Sequence, residues 1–148
     1  MVPSVYMLPS DGLPLIKPLC QRFFAESGHP GEFNWEHFSA FWGPAIAAGI
    51  GRIYVDEGLT GMIGAAYMPD PFTGDPMTAL SFWYVSPESR GTGLGVELFN
   101  RAEKTGLALG SKSMIAGHLL AINKDGGRAF FERRGFVNYE LGFRKIYG

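Results

Sequence analysis

Cysteine is almost missing: Cys20 stands alone among 148 residues. No internal disulfide can brace the chain, so it must be held by packing, and a reducing compartment suits it. An excess of charge is missing too. Thirteen Lys and Arg face fourteen Asp and Glu, for a formal net charge of −1. No basic run gathers the phosphate contacts a nucleic acid would require, so no nucleic-acid partner is expected. No apolar run approaches the roughly 20 residues of a membrane-spanning helix, so no membrane partner is expected either. Residues 1–12 carry neither the basic start nor the apolar centre of a secretory leader. A cytoplasmic location is the expectation. Internal repeats and low-complexity tracts are absent, and no metal is expected. What remains is a globular composition, 46% hydrophobic and 18% charged. At this length a single domain, 1–148, can bury about 70% of its unfolded surface.

The most informative stretch runs from Tyr84 to Leu98. Ala79, Leu80, Phe82, Trp83, Tyr84 and Val85 form an apolar, aromatic run with strand character. Pro87 ends it, because proline has no N–H for a ladder. Leu94, Leu98 and Ala102 then recur every four residues, with Phe99 and Leu109 widening the stripe, which predicts a helix to about Leu109. Between strand and helix lies Arg90-Gly91-Thr92-Gly93-Leu94-Gly95. Such a loop suits a phosphorylated ligand. Glycines let a bulky anion approach the main chain, and the first N–H groups of a helix are unpaired and carry partial positive charge. Arg90 adds a charge-assisted donor.

The pattern decides among phosphate loops. Val96 stands where a dinucleotide fingerprint has its third glycine, and the loop lies past mid-chain. A P-loop ends in Gly-Lys-Ser/Thr, which is absent. A kinase glycine loop needs a lysine strand and acidic metal ligands after it, for which the remaining chain is too short. Arg90, Gly93 and Gly95 behind Val85-Ser86-Pro87 resemble the acetyl-CoA motif of the GCN5-related N-acetyltransferases, the GNAT superfamily. A second piece, Ala129-Phe130-Phe131-Glu132-Arg133-Arg134-Gly135-Phe136, is similar to the stretch that closes that family's last helix. The resemblance covers about Arg52 to Ile146. It implies an α/β fold with a mixed sheet of six to seven strands and four helices on both faces.

The rest of the chain reads in the same order. Val2 to Leu8 suggests a short strand. A helix follows from Pro14 or Pro18 to Ser27, stopped by Gly28. Residues 28–33 form a loop in which His29 and Glu32 are candidates to meet a substrate. Asn34 is a good N-cap for a second helix with Trp35, Phe38, Phe41, Trp42, Ala45 and Ile46 on its apolar face, kinked or split at Pro44. Arg52–Val55 and Met62–Met68 predict a hairpin turning at Asp56-Glu57-Gly58. Residues 69–76 are either a longer hairpin connection or a flap. Met77–Val85 is the central strand, and Lys112–Leu119 a strand parallel to it. A short helix from Arg128 to Arg134 follows, then strands Phe136–Tyr139 and Leu141–Tyr147.

The resemblance implies acetyl-CoA as cosubstrate and transfer of its acetyl group to a primary amine, on a small molecule or a protein; a homodimer is compatible. It places the cofactor against Val85, Arg90, Gly91, Thr92, Gly93, Leu94 and Gly95, with Asn123 and Phe131 near the pantetheine arm. A main-chain N–H near Tyr84–Val85 would face the thioester oxygen. Many members carry a carboxylate on the central strand, but no Asp or Glu lies between Met77 and Val85. The inward candidates there are Ser81, Trp83 and Thr78. Phe131 holds the position of the tyrosine that protonates the leaving thiolate. His118, Tyr84 and Ser81 are the candidate catalytic side chains, His118 because an unperturbed imidazole changes charge near neutral pH. Tyr139 is a further acid, and Glu32, Asp56 and Glu57 are bases only if their loops fold inward. Two readings stay open: an N-acetyltransferase, or a GNAT-fold module that binds acyl-CoA without efficient turnover.

Overall fold

The computed structural model describes residues 3–117 and 124–148. Five strands form one sheet in the order β1 (Val5–Met7), β2 (Gly51–Asp56), β3 (Gly61–Pro69), β4 (Pro76–Val85), β5 (Ser113–Ile115). The first three pairings are antiparallel and the last, β4 with β5, is parallel. The helices are α1 (Lys17–Ser27), α2 (Trp35–Ala47), α3 (Leu94–Ala108) and α4 (Lys124–Arg133). The sheet is mixed with helices on both faces, as expected.

Each element starts and stops for a local reason. Ser10–Ile16 is a 3-10 turn containing Pro14, and α1 begins after it with Pro18 in its first turn, where the missing N–H costs nothing. Gly28 closes α1 at φ 71°. The Asn34 side chain accepts from His37 N at 2.9 Å and caps α2. Pro44 sits inside α2 without splitting it. The Asp56 carboxylate accepts from the N–H of Thr60 and Gly61 and from the Thr60 hydroxyl, each at 2.8 Å, so it is spent on the β2–β3 turn. Residues 69–76 are a hairpin connection, not a flap. Asp70 N donates to Asp75 O, and the Asp70 carboxylate caps the turn.

Two apolar cores sandwich the sheet. On one face, Ile16, Leu19, Cys20 and Trp42 meet Ile53, Val55, Met62 and Tyr84. On the other, Leu94, Leu98, Phe99 and Ala102 of α3 meet Tyr54, Ile63 and Ala65, with Phe130, Phe131 and Phe136 packed on the outside. Cys20 belongs to the first core. Burial pushes its thiol up to about 12, which makes it a small apolar side chain rather than a nucleophile. Phe41 and Leu109, expected on apolar faces, are exposed. Leu109 is the C-cap of α3, one residue past its last turn.

The far end of the sheet departs from expectation. The strand expected at Lys112–Leu119 is a ladder of three residues, Ser113–Ile115, followed by Gly117 outside it. Phe136–Tyr139 and Leu141–Tyr147 do not form strands; the segment is exposed, with Val137 at 82% and Phe143 at 93%. The described sheet therefore has five strands, not six or seven. The alternation of apolar residues in 137–143 supplies strand character, but a strand exists only where a neighbour pairs with its main chain.

Candidate functional site

The site is built on a break in β4. Gly64 faces Phe82 across the β3–β4 ladder and Ala65 faces Leu80, which leaves Ser81 as an extra residue at a β-bulge. The bulge reverses the alternation of side chains. Before it, Thr78 and Leu80 point toward α3; beyond it, Trp83 and Val85 do. Phe82 and Tyr84 turn to the α1–α2 side, where they meet Phe23. The bulge also falls where the parallel pairing ends. Met77–Ala79 register with Ser113–Ile115, and the described ladder goes no further. Beyond Ala79, residues 80–85 of β4 border a gap together with Gly117.

That gap is a cleft of about 900 Å³ lined by Glu26, Ser81, Tyr84, Arg90, Gly95 and Phe130 among others. At one end of it β4 turns into α3. Gly91 and Gly93 hold φ of 82° and 87°, left-handed values that favour glycine, and a Cβ on either would meet nothing within 4 Å. Gly93 is the N-cap of α3 and offers no side-chain cap. The Leu94 N–H reaches Thr92 Oγ1 at 3.4 Å, and the rest of the first turn is left to an outside acceptor. Two bonds set the loop: Thr92 Oγ1 donates to Ser89 O at 2.6 Å, and Trp83 Nε1 donates to Gly95 O at 3.1 Å.

At the other end, α1 faces the loop with charge. Arg22 and Glu26 lie one turn apart on α1. Arg22 grips Glu88 with both terminal nitrogens at 2.9 and 2.8 Å. The Glu26 carboxylate receives Arg90 Nη2 at 2.9 Å and the Tyr84 hydroxyl. Arg90 also donates Nε–H to Val85 O at 2.9 Å, and its guanidinium lies 5.7 Å from the Tyr84 ring centre. The bonds from Tyr84 and Arg90 hold the Glu26 carboxyl below the usual carboxylate range. Burial, with Glu26 as hydrogen-bond acceptor, pushes the Tyr84 hydroxyl up to about 12.

These positions sort the sequence candidates. Ser81, Tyr84, Val85, Arg90 and Gly95 line one cleft. Gly91, Thr92, Gly93 and Leu94 form the loop at its edge, with Leu94 buried. Thr78 does not face the cleft; it is buried against α3 and bonded to Ser111 Oγ at 2.8 Å. Trp83 lines the cleft with Ser81 while its ring packs on Phe99 and Phe130. The bulge sets Thr78 and Trp83 on the α3 side of β4, and of the three residues expected to point inward only Thr78 is away from the cleft. Phe131 packs edge-on to Trp83, Phe99 and Phe136, while its neighbour Phe130 lines the cleft. His29 lines the cleft with Nδ1 against Pro30 O at 2.8 Å. Glu32 lines a separate aromatic niche with Phe33 and Phe38. Asp56 is spent on its turn, and Glu57 and Tyr139 are exposed away from the cleft. His118 and Asn123 lie outside the described residues.

Sequence reasoning missed Glu26, Arg133 and Arg144, all of which line the cleft. Glu26 stands on a helix whose apolar spacing drew the eye to Phe23 and Phe24. Only the i, i+4 placement of Arg22 and Glu26 hinted at a charged face. Nothing local tied that face to a loop more than 60 residues away.

A bulged strand that leads through two left-handed glycines into a helix start is an arrangement suited chemically to an extended phosphorylated ligand. The profile of the acetyltransferase (GNAT) family matches residues 16–136, and the chain belongs to that family. Solved structures carry the same fold. A predicted acetyltransferase with acetyl-CoA from Clostridium acetobutylicum is 13% identical at a TM-score of 0.78, with 97% of this chain and 95% of that one covered. A GCN5-related N-acetyltransferase from Ralstonia eutropha is 22% identical at 0.76, covering 98% and 99%. An aminoglycoside acetyltransferase from an uncultured soil metagenomic sample, in complex with sisomicin, is 12% identical at 0.71, covering 98% and 95%. No curated protein matches the sequence. Among the described residues, no helix is long and apolar enough to cross a membrane, and no cluster of metal-ligating side chains occurs.

Proposed function

We propose that the chain, read as one domain over 1–148, is an acetyl-CoA-dependent N-acetyltransferase that passes an acetyl group directly to a primary amine. The observation that carries this reading is the bulge at Ser81, which opens the sheet beside the glycine loop. The residues there suit the cofactor chemically: a helix start whose N-cap glycine has no capping side chain, open space around Gly91 and Gly93, and arginines at 90, 133 and 144 along one cleft. Arg90, Gly91, Thr92, Gly93, Leu94 and Gly95 would hold the diphosphate, and Val85 the pantetheine arm. When bound, acetyl-CoA supplies the activated acyl group.

The chain contributes position and main-chain polarity more than acid–base side chains. At about 12 the Tyr84 hydroxyl is a poor donor to a thiolate whose thiol titrates near 8.5. Ser81 reaches the cleft but has no acidity of its own near neutral pH. Alignment of the reactants alone supplies effective molarities on the order of 10⁵ M or more. The amine attacks once it is neutral, and water takes the proton it sheds before attack and the one it loses on forming the amide. The acceptor is a small-molecule or protein amine; the sisomicin complex of one structural neighbour is a precedent for the former in that protein.

Calorimetry with acetyl-CoA, followed by thiol release across a panel of primary amines, tests the reading. Micromolar binding with amine-dependent thiol release is the expected result. Failure to bind acetyl-CoA would overturn it. Binding without release from any amine would favour a cofactor-binding module, a reading supported by the lack of a carboxylate on β4 and by Phe131 in place of a tyrosine.

A further inference from the structure

Arg90 is occupied. Its Nε–H goes to Val85 O, its Nη2 to Glu26, and its plane lies beside the Tyr84 ring. It is also three residues ahead of Gly93, the start of α3, and it lines the same cleft as Glu26. A guanidinium has five N–H donors in a fixed fork, so a doubly charged diphosphate at the helix start competes well with a single carboxylate for it.

We propose that Glu26 and Arg90 form a latch between the two substrates: the cofactor's diphosphate draws Arg90 away from Glu26, and the released carboxylate then receives the ammonium group of the acceptor. This inference rests on the proposed function and deepens it by assigning an acceptor-binding residue and an order of binding.

The surroundings of Glu26 support it. The other cation beside Glu26 on α1, Arg22, is held by Glu88 through two bonds and is not available to replace Arg90. Glu26 is the carboxylate lining the cleft among the described residues, which it shares with Ser81, His29 and Tyr84 and with the guanidiniums of Arg90, Arg133 and Arg144. Its side chain is 34% exposed, so an incoming cation can reach it. The Tyr84 hydroxyl, donating to Oε2, fixes the carboxylate toward the cleft when Arg90 departs. Because Glu26 is held ionised, it anchors a cation rather than carrying a proton away. Before the cofactor binds, the acceptor's ammonium must compete with Arg90 for Glu26; afterwards it does not. The two substrates therefore bind with positive coupling, and the coupling is reciprocal.

Glu26→Gln is the test, since the amide still accepts from Tyr84 while losing its charge. Calorimetry with coenzyme A should show affinity raised about threefold or more, because Arg90 is no longer held. Arg90→Ala should lower affinity about tenfold, and adding Glu26→Gln to Arg90→Ala should produce no gain. In turnover with saturating acetyl-CoA, Glu26→Gln should raise KM for a protonated amine about tenfold and leave kcat within twofold. A coenzyme A affinity in Glu26→Gln equal to or below that of the wild type overturns the latch. So does a gain that survives in the Arg90→Ala background, which would reduce Glu26 to a background charge. If the wild-type chain fails to bind coenzyme A, the proposed function falls and takes the latch with it. If the wild type binds and only the mutant pattern is absent, the latch alone falls.

Discussion

The two faces of β4 hold the cleft by different means. Toward α3, Trp83 and Val85 pack into a core of Leu94, Leu98 and Phe99, all 2% exposed or less, and the loop is set by the Trp83–Gly95 bond. Toward α1, Phe82 and Tyr84 meet half-buried aromatics, and the loop is set by two exposed ion pairs, Arg22–Glu88 and Glu26–Arg90. Apolar burial in a close-packed core is strong and indifferent to pH and salt. Exposed ion pairs are weak, screened and able to exchange partners. On the proposed function, the α3 side would be the rigid platform for the cofactor and the α1 side the adjustable wall that meets the acceptor.

The contrast can be broken at several points, and the largest effect is expected in the α3 core. Phe99→Ala should cost about 3–5 kcal/mol of stability in urea unfolding, as deletion of a fully buried ring does. Phe41→Ala, on the exposed side of α2, should cost less than about 0.5 kcal/mol. Comparable losses in the two variants would erase the distinction between the faces.

A somewhat smaller effect should follow from adding charge at the loop. Gly93→Asp should weaken coenzyme A binding about 100-fold in calorimetry, since a like charge set against the diphosphate costs several kcal/mol. Gly93→Asn is the control: asparagine accepts a left-handed φ and carries no charge. It should bind within about fivefold of the wild type. Unchanged affinity in the aspartate variant would remove the loop from the binding site.

The titration behaviour of the α1 side is a finer probe. Tyr84 is raised in the fold to about 12 from 10. Its neutral form is the one the fold favours, so its contribution is complete below pH 10 and is lost as pH rises toward 12. Tyr84→Phe should flatten that part of the stability profile. Glu88 runs the other way. Held down to about 2 from 4.5 by Arg22, it contributes above pH 4.5 and its contribution fades as pH falls to 2. Both members of that pair are well exposed, so Glu88→Gln should give only a slight flattening of the acid limb in thermal melts, smaller still in molar salt. A steep acid limb that survives in molar salt would mean the pair is stronger than exposed charges allow.

Much of the fold could be read before any coordinates, and the reason is local. The four-residue spacing of Leu94, Leu98 and Ala102, the Asn34 cap and the Gly28 and Gly135 stops each follow from short-range geometry. The glycine loop was legible for the same cause, since its ligand contacts would be main chain. The bulge was not. Nothing in Leu80-Ser81-Phe82 marks an extra residue, because a bulge is a mismatch between two strands, and the partner's register decides it. Of the three residues expected to face inward, Ser81 and Trp83 line the cleft and Thr78 is buried away from it. Glu26 was illegible for a related reason: its partners, Tyr84 and Arg90, are brought to it only when α1 docks on the sheet.

The sequence by itself determined three helices, the phosphate-suited turn and the family, because each depends on residues within a few positions of one another or on two short motifs in order; the fourth helix begins at Lys124, through Gly126 and Gly127, not at the expected Arg128. Tertiary structure alone decided which side chains share the cleft, how far β5 pairs with β4, and that the segment after Gly135 forms no strand of the described sheet. Pairing between strands and between distant charges is a property of two surfaces meeting, and no single stretch of chain contains both.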